Sequence, residues 1–400
     1  MKKLKIVASA LVMCIGVTSV FAVNKTSSKA SAVSNNYIKE HTSSIEEDLK
    51  KNIQNFKVYY GQIHSHTGDS DGFGTPKEAY KFVKKNVPDI DFFAVTDHSQ
   101  SLDNAEKFYF GKTTGSREWR EGLAAAKEYT DDTFVGLYGY EMTWHVNHNI
   151  GHINTYNTIG FECVWPGGKY DDKEWGLHRY YQALKQDNEN VKNSVSQFNH
   201  PGDKYGSFKN FKYNSVEADR VMNLLEMSGR DSSNITYYCK YYNMALDKGW
   251  HVSPSNNQDN HRRNWGLADN GRTVILATSL SEKNIYDAIR HNRTYSTEDS
   301  DFKLKYTLDD YVMGSKINTK RVGDTAKIKL FLEDPTDKSI GKVEVVVNEG
   351  NVIANRNIQD NNALIEINVP TKYSYYYTRI IQPDGDVIVS APIWIGYYAQ

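Results

Sequence analysis

The sequence predicts a parallel α/β barrel followed by a small C-terminal β-sandwich. Eight short apolar strands alternate with amphipathic helical stretches over residues 57–300, and strands interleaved with helices are typical of parallel sheets. So many such units favour a barrel over an open sheet. Short β-rich runs separated by turn signals fill residues 301–400, as in small sandwiches. The chain of 400 residues is also longer than one typical domain.

Residues 1–32 are predicted to be a signal peptide. A lysine-rich start precedes an apolar run over 6–23, and small residues offer cleavage sites after Ala22 or Ala32. A membrane anchor is the rival interpretation, but the run only reaches the lower limit for spanning a bilayer. We therefore expect a secreted or cell-surface protein with no membrane span after cleavage.

Charge argues against nucleic acid as the main partner. Cleavage after Ala32 removes five lysines and no acidic residue, so the net charge falls from −1 to −6. A protein that binds the phosphate backbone over a large surface carries a basic excess instead. The sequence thus gives no strong nucleic-acid signal, and it leaves the oligomeric state open.

The elements are predicted from apolar periodicity and turn residues. A polar segment with helical spacing, 33–56, leads into the barrel. Helices are predicted over 75–86, where Pro76 suits the first turn, and over 118–129. The predicted barrel strands are 58–63, 90–96, 134–141, 152–157, 195–199, 223–227, 251–255 and 273–277. The predicted sandwich strands are 302–308, 326–332, 342–347, 363–369, 375–381 and 387–395.

Twelve histidines are the feature that most needs explanation, and none lies in residues 301–400. Several follow predicted strands directly, together with acidic residues, and ligands gather at the carboxyl ends of parallel strands. His64 and His66, two residues apart on an extended chain, face the same side. The candidate metal ligands are His64, His66, Asp71, His98, Glu141, His152, His200, Asp259 and His261.

Imidazole and carboxylate without thiolate suit Mn²⁺, Zn²⁺ or Fe. Nine ligands exceed the need of one ion, so we expect two or three divalent ions. Each motif alone has an ordinary explanation: a His-x-His pair is common, and an Asp after a strand often caps a helix. The joint order of the motifs favours a metal site.

These ordered motifs resemble those of the polymerase-and-histidinol-phosphatase (PHP) metallohydrolases, over roughly residues 57–400. The motifs are Ile63-His64-Ser65-His66-Thr67, Ser70-Asp71-Gly72, Val95-Thr96-Asp97-His98, Glu141, Asn199-His200-Pro201-Gly202 and Asp259-Asn260-His261. The closer likeness is to an exported branch with carbamate-hydrolysing members. In that branch Gly-Tyr-Glu leads to Gly-His-Ile-Asn, as between Gly139 and Asn154, and a segment like 293–297 enters a C-terminal β-domain.

The resemblance implies a distorted seven-stranded β/α barrel with a trinuclear site. It assigns His64, His66, Glu141 and Asp259 to one metal, with Glu141 bridging, His152 and His200 to a second, and Asp71, His98 and His261 to a third. Asp97 would orient a ligand imidazole by accepting its other N–H. His145 and His148 lie near His152, and either could be the ligand or a substrate contact instead.

The function expected from this centre is hydrolysis of a phosphate mono- or diester by a hydroxide that bridges the metals. Glu141, Asp259 and Arg262 are the predicted catalytic residues. Arg230, Arg263 and His148 are predicted substrate contacts, although each arginine could equally lie on the surface. A tyrosine group and a tryptophan could line the pocket or pack in the core: Tyr237, Tyr238, Tyr241, Tyr242 and Trp265.

Two alternatives stay open on the sequence alone. The same centre could hydrolyse a carbamate, ester or amide, so the substrate is a small phosphoester or a carbonyl ester. A catalytically inert surface binding protein is the other alternative. The sequence also does not tell whether Cys163 and Cys239 form a disulfide.

Overall fold

The computed structural model describes residues 53, 55–102, 116–144, 150–191, 194–229 and 234–396. The predicted signal peptide and most of the predicted lead-in lie outside these residues. The first strands are β1 (Lys57–Gln62), β2 (Phe92–Val95), β3 (Val135–Thr143), β4 (His152–Tyr156), β5 (Val195–Asn199), β6 (Met222–Glu226), β7 (Ser253–Ser255), β8 (Arg272–Ala277) and β9 (Thr294–Thr297). The strands that follow are β10 (Lys303–Leu308), β11 (Tyr311–Val312), β12 (Lys316–Asn318), β13 (Thr325–Glu333), β14 (Gly341–Val347), β15 (Asn351–Ile358), β16 (Asn362–Pro370), β17 (Tyr375–Ile381), β18 (Val387–Ser390) and β19 (Ile393–Gly396).

The helices begin at recognisable capping residues. Thr75 caps α1 and forms a reciprocal capping box with Glu78, and Pro76 occupies the first turn. Ser116 caps α2 by accepting a hydrogen bond from Trp119 N. The helices are α1 (Pro76–Asn86), α2 (Arg117–Tyr129), α3 (Gly176–Val191), α4 (Val216–Val221), α5 (Ile235–Asp247) and α6 (Glu282–Arg290). Phe208–Phe211 form a left-handed turn between β5 and α4.

A mixed α/β architecture with a large sheet is confirmed. The strand order is β12-β19-β17-β18-β9-β8-β1-β2-β3-β4-β5-β6-β7, with β14 joining β15 to β17. The strands β1, β2 and β3 are parallel, and so are β5, β6 and β7. Both runs are interleaved with helices, as the sequence predicts.

An all-parallel sheet, however, was the wrong expectation. The strand β4 is antiparallel to β3 and β5, and β8 is antiparallel to β1 and β9. Eight residues separate β3 from β4, whereas a parallel crossover needs a dozen or more. His152 pairs with Thr143 and Asn199, so the start of β4 lies at the edge where β3 and β5 end.

Both faces of this sheet are buried. Phe92 and Ala94 of β2 belong to one apolar cluster, while Phe93 and Val95 belong to another. Side chains alternate between the two faces of a strand, so a strand with four buried residues in a row is covered on both sides. The strand β7, at one end of the strand order, lies near β8 and β9, since Thr294 Oγ1 of β9 donates to Pro254 O at 2.8 Å and Asn256 N, just after β7, donates to Thr273 Oγ1 of β8 at 3.0 Å.

The C-terminal strands form a second sheet and extend the first. The second sheet has the order β11-β10-β13-β16, and β18 pairs with β9 to continue the large sheet. Ile328 and Leu330 of β13 pack in one apolar cluster with Val343 and Val345 of β14. The predicted strand 387–395 is divided into β18 and β19 at Pro392, which has no N–H for the ladder. Among the described residues, no helix is both long and apolar enough to span a membrane.

Candidate metal centre

The candidate centre is formed at one edge of the sheet, where β1, β2, β3 and β5 end and β4 begins. Backbone bonds continue the strands past their ends: His66 N donates to Asn260 O at 2.8 Å, and Glu141 N donates to Asp97 O at 3.0 Å. These bonds fix the chain on both sides of the ligands. The structure brings all nine predicted residues together, and we call them the candidate centre.

Glu141 lies in the middle of this centre, with its side chain 1% exposed. Five imidazoles surround its carboxylate. Oε1 lies 3.3 Å from His64 Nε2, 3.2 Å from His152 Nδ1 and 3.4 Å from His200 Nε2. Oε2 lies 3.5 Å from His66 Nε2 and 2.7 Å from His98 Nδ1. One carboxylate is therefore placed to be shared between neighbouring cations.

Two further carboxylates flank Glu141. Asp259 Oδ1 lies 3.4 Å from His64 Nε2 and 3.2 Å from His66 Nε2. Asp71 Oδ1 lies 3.1 Å from His261 Nε2 and 3.6 Å from His98 Nε2. The donor atoms form three groups, each compact enough for one ion: His64, His66 and Asp259; Glu141, His152 and His200; and His66, Asp71, His98 and His261.

Several buried donor atoms of the candidate centre lack a well-formed hydrogen bond, which also suits metal binding. Glu141 Oε2, Asp259 Oδ1 and His152 Nδ1 are buried, and the ligand atoms 2.7 to 3.2 Å from them are not oriented for a well-formed hydrogen bond. A buried polar atom without a partner costs about 1 to 3 kcal/mol, and coordination of a cation removes that cost. Nitrogen and oxygen donors without thiolate suit Mn²⁺, Zn²⁺ or Fe.

The electrostatics favour ionised carboxylates. Burial raises the pKa of Glu141, but the charges of His152, His98 and His64 outweigh it and hold the pKa well below its usual value. Burial lowers the pKa of His98, but the Glu141 carboxylate outweighs it and raises the pKa to about 9. His152 differs, since burial prevails there and lowers its pKa to about 4.

Two ligands lie on left-handed backbone. His200 has a φ of 26° and Asp259 a φ of 46°. Non-glycine residues in this region are strained, at about 1 to 3 kcal/mol each, and such residues cluster at functional sites. This backbone conformation directs both side chains into the candidate centre.

No protein-family model and no curated protein sequence matches the chain. A two-domain protein from Bacteroides vulgatus that contains a predicted PHP-like metal-dependent phosphoesterase matches with a TM-score of 0.40 at 10% identity, over 85% of this chain and 95% of its own. An inferred metal-dependent phosphoesterase from Bifidobacterium adolescentis matches with a TM-score of 0.31 at 15% identity, over 57% of this chain and 95% of its own.

A lesion-specific endonuclease from Pyrococcus furiosus matches with a TM-score of 0.35 at 12% identity, over 58% of this chain and 56% of its own. Two of these structural neighbours are described as metal-dependent phosphoesterases, and one of the two as PHP-like. Membership of the carbamate-hydrolysing branch stays a prediction.

Glu226 is a buried acidic residue that sequence reasoning missed. Its two oxygens lie 3.0 and 3.1 Å from His64 Nδ1, and Oε2 accepts from His200 N at 2.9 Å. Asn257 Nδ2 donates to Oε1 at 3.0 Å. Glu226 thereby fixes the ring of His64 so that Nε2 faces the centre. The signal that could have found it is an acidic residue at the end of an apolar strand, since Glu226 is the last residue of β6.

Asp97 acts on the loop after His66, and in the part of the chain that the structure describes its carboxylate makes no direct hydrogen bond to an imidazole. Its carboxylate accepts from Thr67 N at 2.7 Å, Thr67 Oγ1 at 2.6 Å and Ser70 Oγ at 2.5 Å. Ser70 Oγ in turn lies 3.3 Å from His66 Nδ1. Asp97 therefore reaches the His66 ring through Ser70 rather than by the predicted direct bond.

The predicted substrate contacts are placed differently from the ligands. Arg263 is 64% exposed and lies 3.5 Å from Glu78. Arg262, predicted as a catalytic residue, is exposed, and its backbone N donates to Asn260 Oδ1 at 2.6 Å. Arg230, His145 and His148 lie outside the described residues.

The aromatic candidates mostly pack in the core. Tyr238, Tyr241 and Tyr242 of α5 are buried, whereas Tyr237 is 41% exposed. Trp265 is buried and donates from Nε1 to His66 O at 3.0 Å, which supports the backbone beside that ligand. Cys163 and Cys239 are both buried free thiols, so they do not form a disulfide.

Proposed function

We propose that this protein is a secreted metal-dependent hydrolase that cleaves a phosphate mono- or diester. The observation that carries the proposal is the sharing of the Glu141 carboxylate among five imidazoles, with Asp259 and Asp71 on either side. Such a donor set exceeds what a structural ion needs, and it leaves a partly open edge at Asp71.

Divalent ions in such a centre supply a nucleophile from water at neutral pH and neutralise phosphate charge. The chain's own residues prepare for that chemistry. Glu141 and Asp259 stay ionised because the imidazoles lower their pKa values, although burial opposes this. Glu226 and Ser70 hold the rings of His64 and His66 from outside the centre. The geometry is thus fixed before the substrate arrives.

The fold proposed for this activity is a closed, distorted seven-stranded barrel with a C-terminal sandwich. The side-chain bonds from β7 to β8 and β9 support closure. The apolar cluster shared by β13 and β14 supports two facing sheets. Export rests on the leader sequence alone.

The test is a set of rates on chosen substrates. Protein stripped with chelator and reloaded with Mn²⁺ or Zn²⁺ is assayed on p-nitrophenyl phosphate, bis-p-nitrophenyl phosphate and a naphthyl carbamate. We expect metal-dependent hydrolysis of one phosphate ester to exceed hydrolysis of the carbamate. A carbamate rate higher by orders of magnitude would replace the proposal with a carbonyl hydrolase. No metal-dependent rate on any substrate would favour an inert binding protein.

A further inference from the structure

A second group of acidic side chains lies outside the candidate centre, where three segments of the chain meet. Asp299 and Asp301 follow the end of β9. Asp334 and Asp337 lie in the segment after β13, and Gln382 follows β17. One carboxylate oxygen from each of Asp299, Asp301 and Asp334 lies within 4.8 Å of the other two. We call these five residues the acidic junction.

The side chain of Gln382 is the observation that points to a ligand here. Gln382 is 3% exposed, and its Nε2 lies 2.6 Å from Asp334 Oδ2, 3.1 Å from Asp299 Oδ2 and 3.3 Å from Asp337 Oδ2. An amide nitrogen carries only two hydrogens for these three oxygens, and the buried Oε1 makes no hydrogen bond. A half-turn of the amide exchanges the two atoms and places Oε1 among the carboxylate oxygens. Four oxygens so arranged need a cation between them.

The charges of the acidic junction are not balanced by basic side chains. Among the described residues, no lysine, arginine or histidine forms an ion pair with any of its four aspartates. Burial raises the pKa of Asp334, and the charge of Asp299 adds to this, although the N–H groups of Asp337 and Thr336 oppose it. Burial and the charge of Asp334 raise the pKa of Asp337. The carboxylates therefore repel one another, and a bound cation removes that repulsion.

The chemistry of the donors selects the kind of cation. All donors of the acidic junction are oxygens, whereas the candidate centre is rich in imidazole nitrogen, and carboxylate and carbonyl oxygens suit hard cations. Ca²⁺ binds oxygens at about 2.3 to 2.6 Å, so ligands on opposite sides of one ion are about 4.6 to 5.2 Å apart. Three carboxylate oxygens within 4.8 Å of one another fit this shell. Mg²⁺ usually keeps several waters and takes one or two carboxylates, so three carboxylates with an amide favour Ca²⁺.

We propose that Asp299, Asp301 and Asp334 bind one Ca²⁺ ion, with Gln382 Oε1 as a further ligand. The strands β9 and β17 belong to the large sheet and β13 to the second sheet. A Ca²⁺ ion at the acidic junction thus fastens the segment that leaves β9 to both sheets. The acidic junction shares no residue with the candidate centre, so this proposal is independent of the proposed hydrolysis.

The first test is calorimetric titration of the full-length protein with Ca²⁺ after the candidate centre has been loaded with Zn²⁺. We expect one Ca²⁺ per chain and weaker binding of Mg²⁺. Asp301→Asn and Asp334→Asn each remove one ligand charge, so each should weaken the Ca²⁺ Kd about tenfold or more. Asp310→Asn is the matched control and should leave the Kd unchanged, because Asp310 is exposed and follows the opposite end of β10 from Asp301.

Two further measurements separate Ca²⁺ binding from folding. Ca²⁺ should raise the Tm of wild type and of Asp310→Asn, but not that of Asp334→Asn. Gln382→Glu adds a charge at the amide position and should tighten Ca²⁺ binding several-fold.

Three results would overturn the proposal or one of its parts. No Ca²⁺ binding by wild type, or wild-type affinity in both Asp301→Asn and Asp334→Asn, would remove the site. Equal affinity for Mg²⁺ would overturn the choice of Ca²⁺. Unchanged or weaker binding by Gln382→Glu would overturn the role of Gln382. Equal Zn²⁺ content in all variants shows that the candidate centre is intact.

Discussion

The candidate centre and the C-terminal strands bury opposite kinds of side chain. The centre holds six imidazoles and three carboxylates, eight of these nine side chains being at most 16% exposed, and several of their buried donor atoms make no well-formed hydrogen bond. The C-terminal strands bury aliphatic and tyrosine side chains such as Leu330, Val345 and Tyr306. The first arrangement is unfavourable by itself and serves binding, whereas the second drives folding. Substitutions in the two regions should therefore change different properties.

The largest expected effect comes from Glu141→Gln. The neutral amide cannot bridge cations as the carboxylate does, so we expect kcat/KM for the best phosphate ester to fall by about 10³-fold or more. His291→Ala is the control, because His291 contacts Asp287 at the end of α6, away from the centre. Steady-state rates check this, together with circular dichroism to show that both variants stay folded. Activity of Glu141→Gln within tenfold of wild type would contradict the role of Glu141.

The next largest effect belongs to the apolar region. Leu330→Ala leaves a cavity in the apolar cluster that β13 shares with β14 and should lower the free energy of unfolding by about 2 to 5 kcal/mol. Leu364, which is 64% exposed, is the matched position, and Leu364→Ala should change stability by less than about 0.5 kcal/mol. Urea unfolding measures both. Equal stability of the two variants would show that the C-terminal core contributes little to folding.

Glu226→Gln tests whether a residue outside the nine predicted ligands contributes to metal affinity. The amide loses the charge that faces His64 Nδ1, so metal affinity should fall by about 10- to 100-fold. Glu217→Gln is the control, since that residue lies in the first turn of α4. Competition with a fluorescent chelator gives both affinities. An unchanged affinity in Glu226→Gln would mean that Glu226 serves only packing.

The smallest expected effect is a pH dependence of metal uptake. In the metal-free protein the pKa of His98 is about 9, so at pH 7 this ring carries a proton that a metal must displace. The pKa values of His64 and His200 are raised as well, so metal binding at pH 7 should release at least one proton, and metal affinity should rise at least tenfold per pH unit below pH 9. Calorimetry in two buffers of different ionisation enthalpy measures the release. No proton release at pH 7 would contradict a charged His98.

Much of the architecture could be predicted from local pattern. The bounds of β5 and β17 agree with the predicted strands 195–199 and 375–381, because compact apolar runs between polar residues mark them. Strand direction could not be predicted, since apolar periodicity is the same in parallel and antiparallel strands. The antiparallel β4 still brings His152 to the correct edge, because it begins where its neighbours end.

The features that could not be predicted from the sequence share a physical cause. β15 was not predicted, because its sequence is polar and mostly exposed, and its strand character comes from pairing with β14. Glu226 was not singled out, because its role depends on His64 and His200, which are distant in sequence. A residue whose role depends on a partner that is distant in sequence leaves little signal in the sequence around it.

The most direct test of the central claim is the number of metal ions per chain, measured by elemental analysis of the purified protein after exposure to Mn²⁺ or Zn²⁺ and gel filtration. We predict two or three divalent ions per chain in wild type and a clear loss in Glu141→Gln. Less than one ion per chain in wild type, or the same number in Glu141→Gln, would contradict a multinuclear centre built on Glu141.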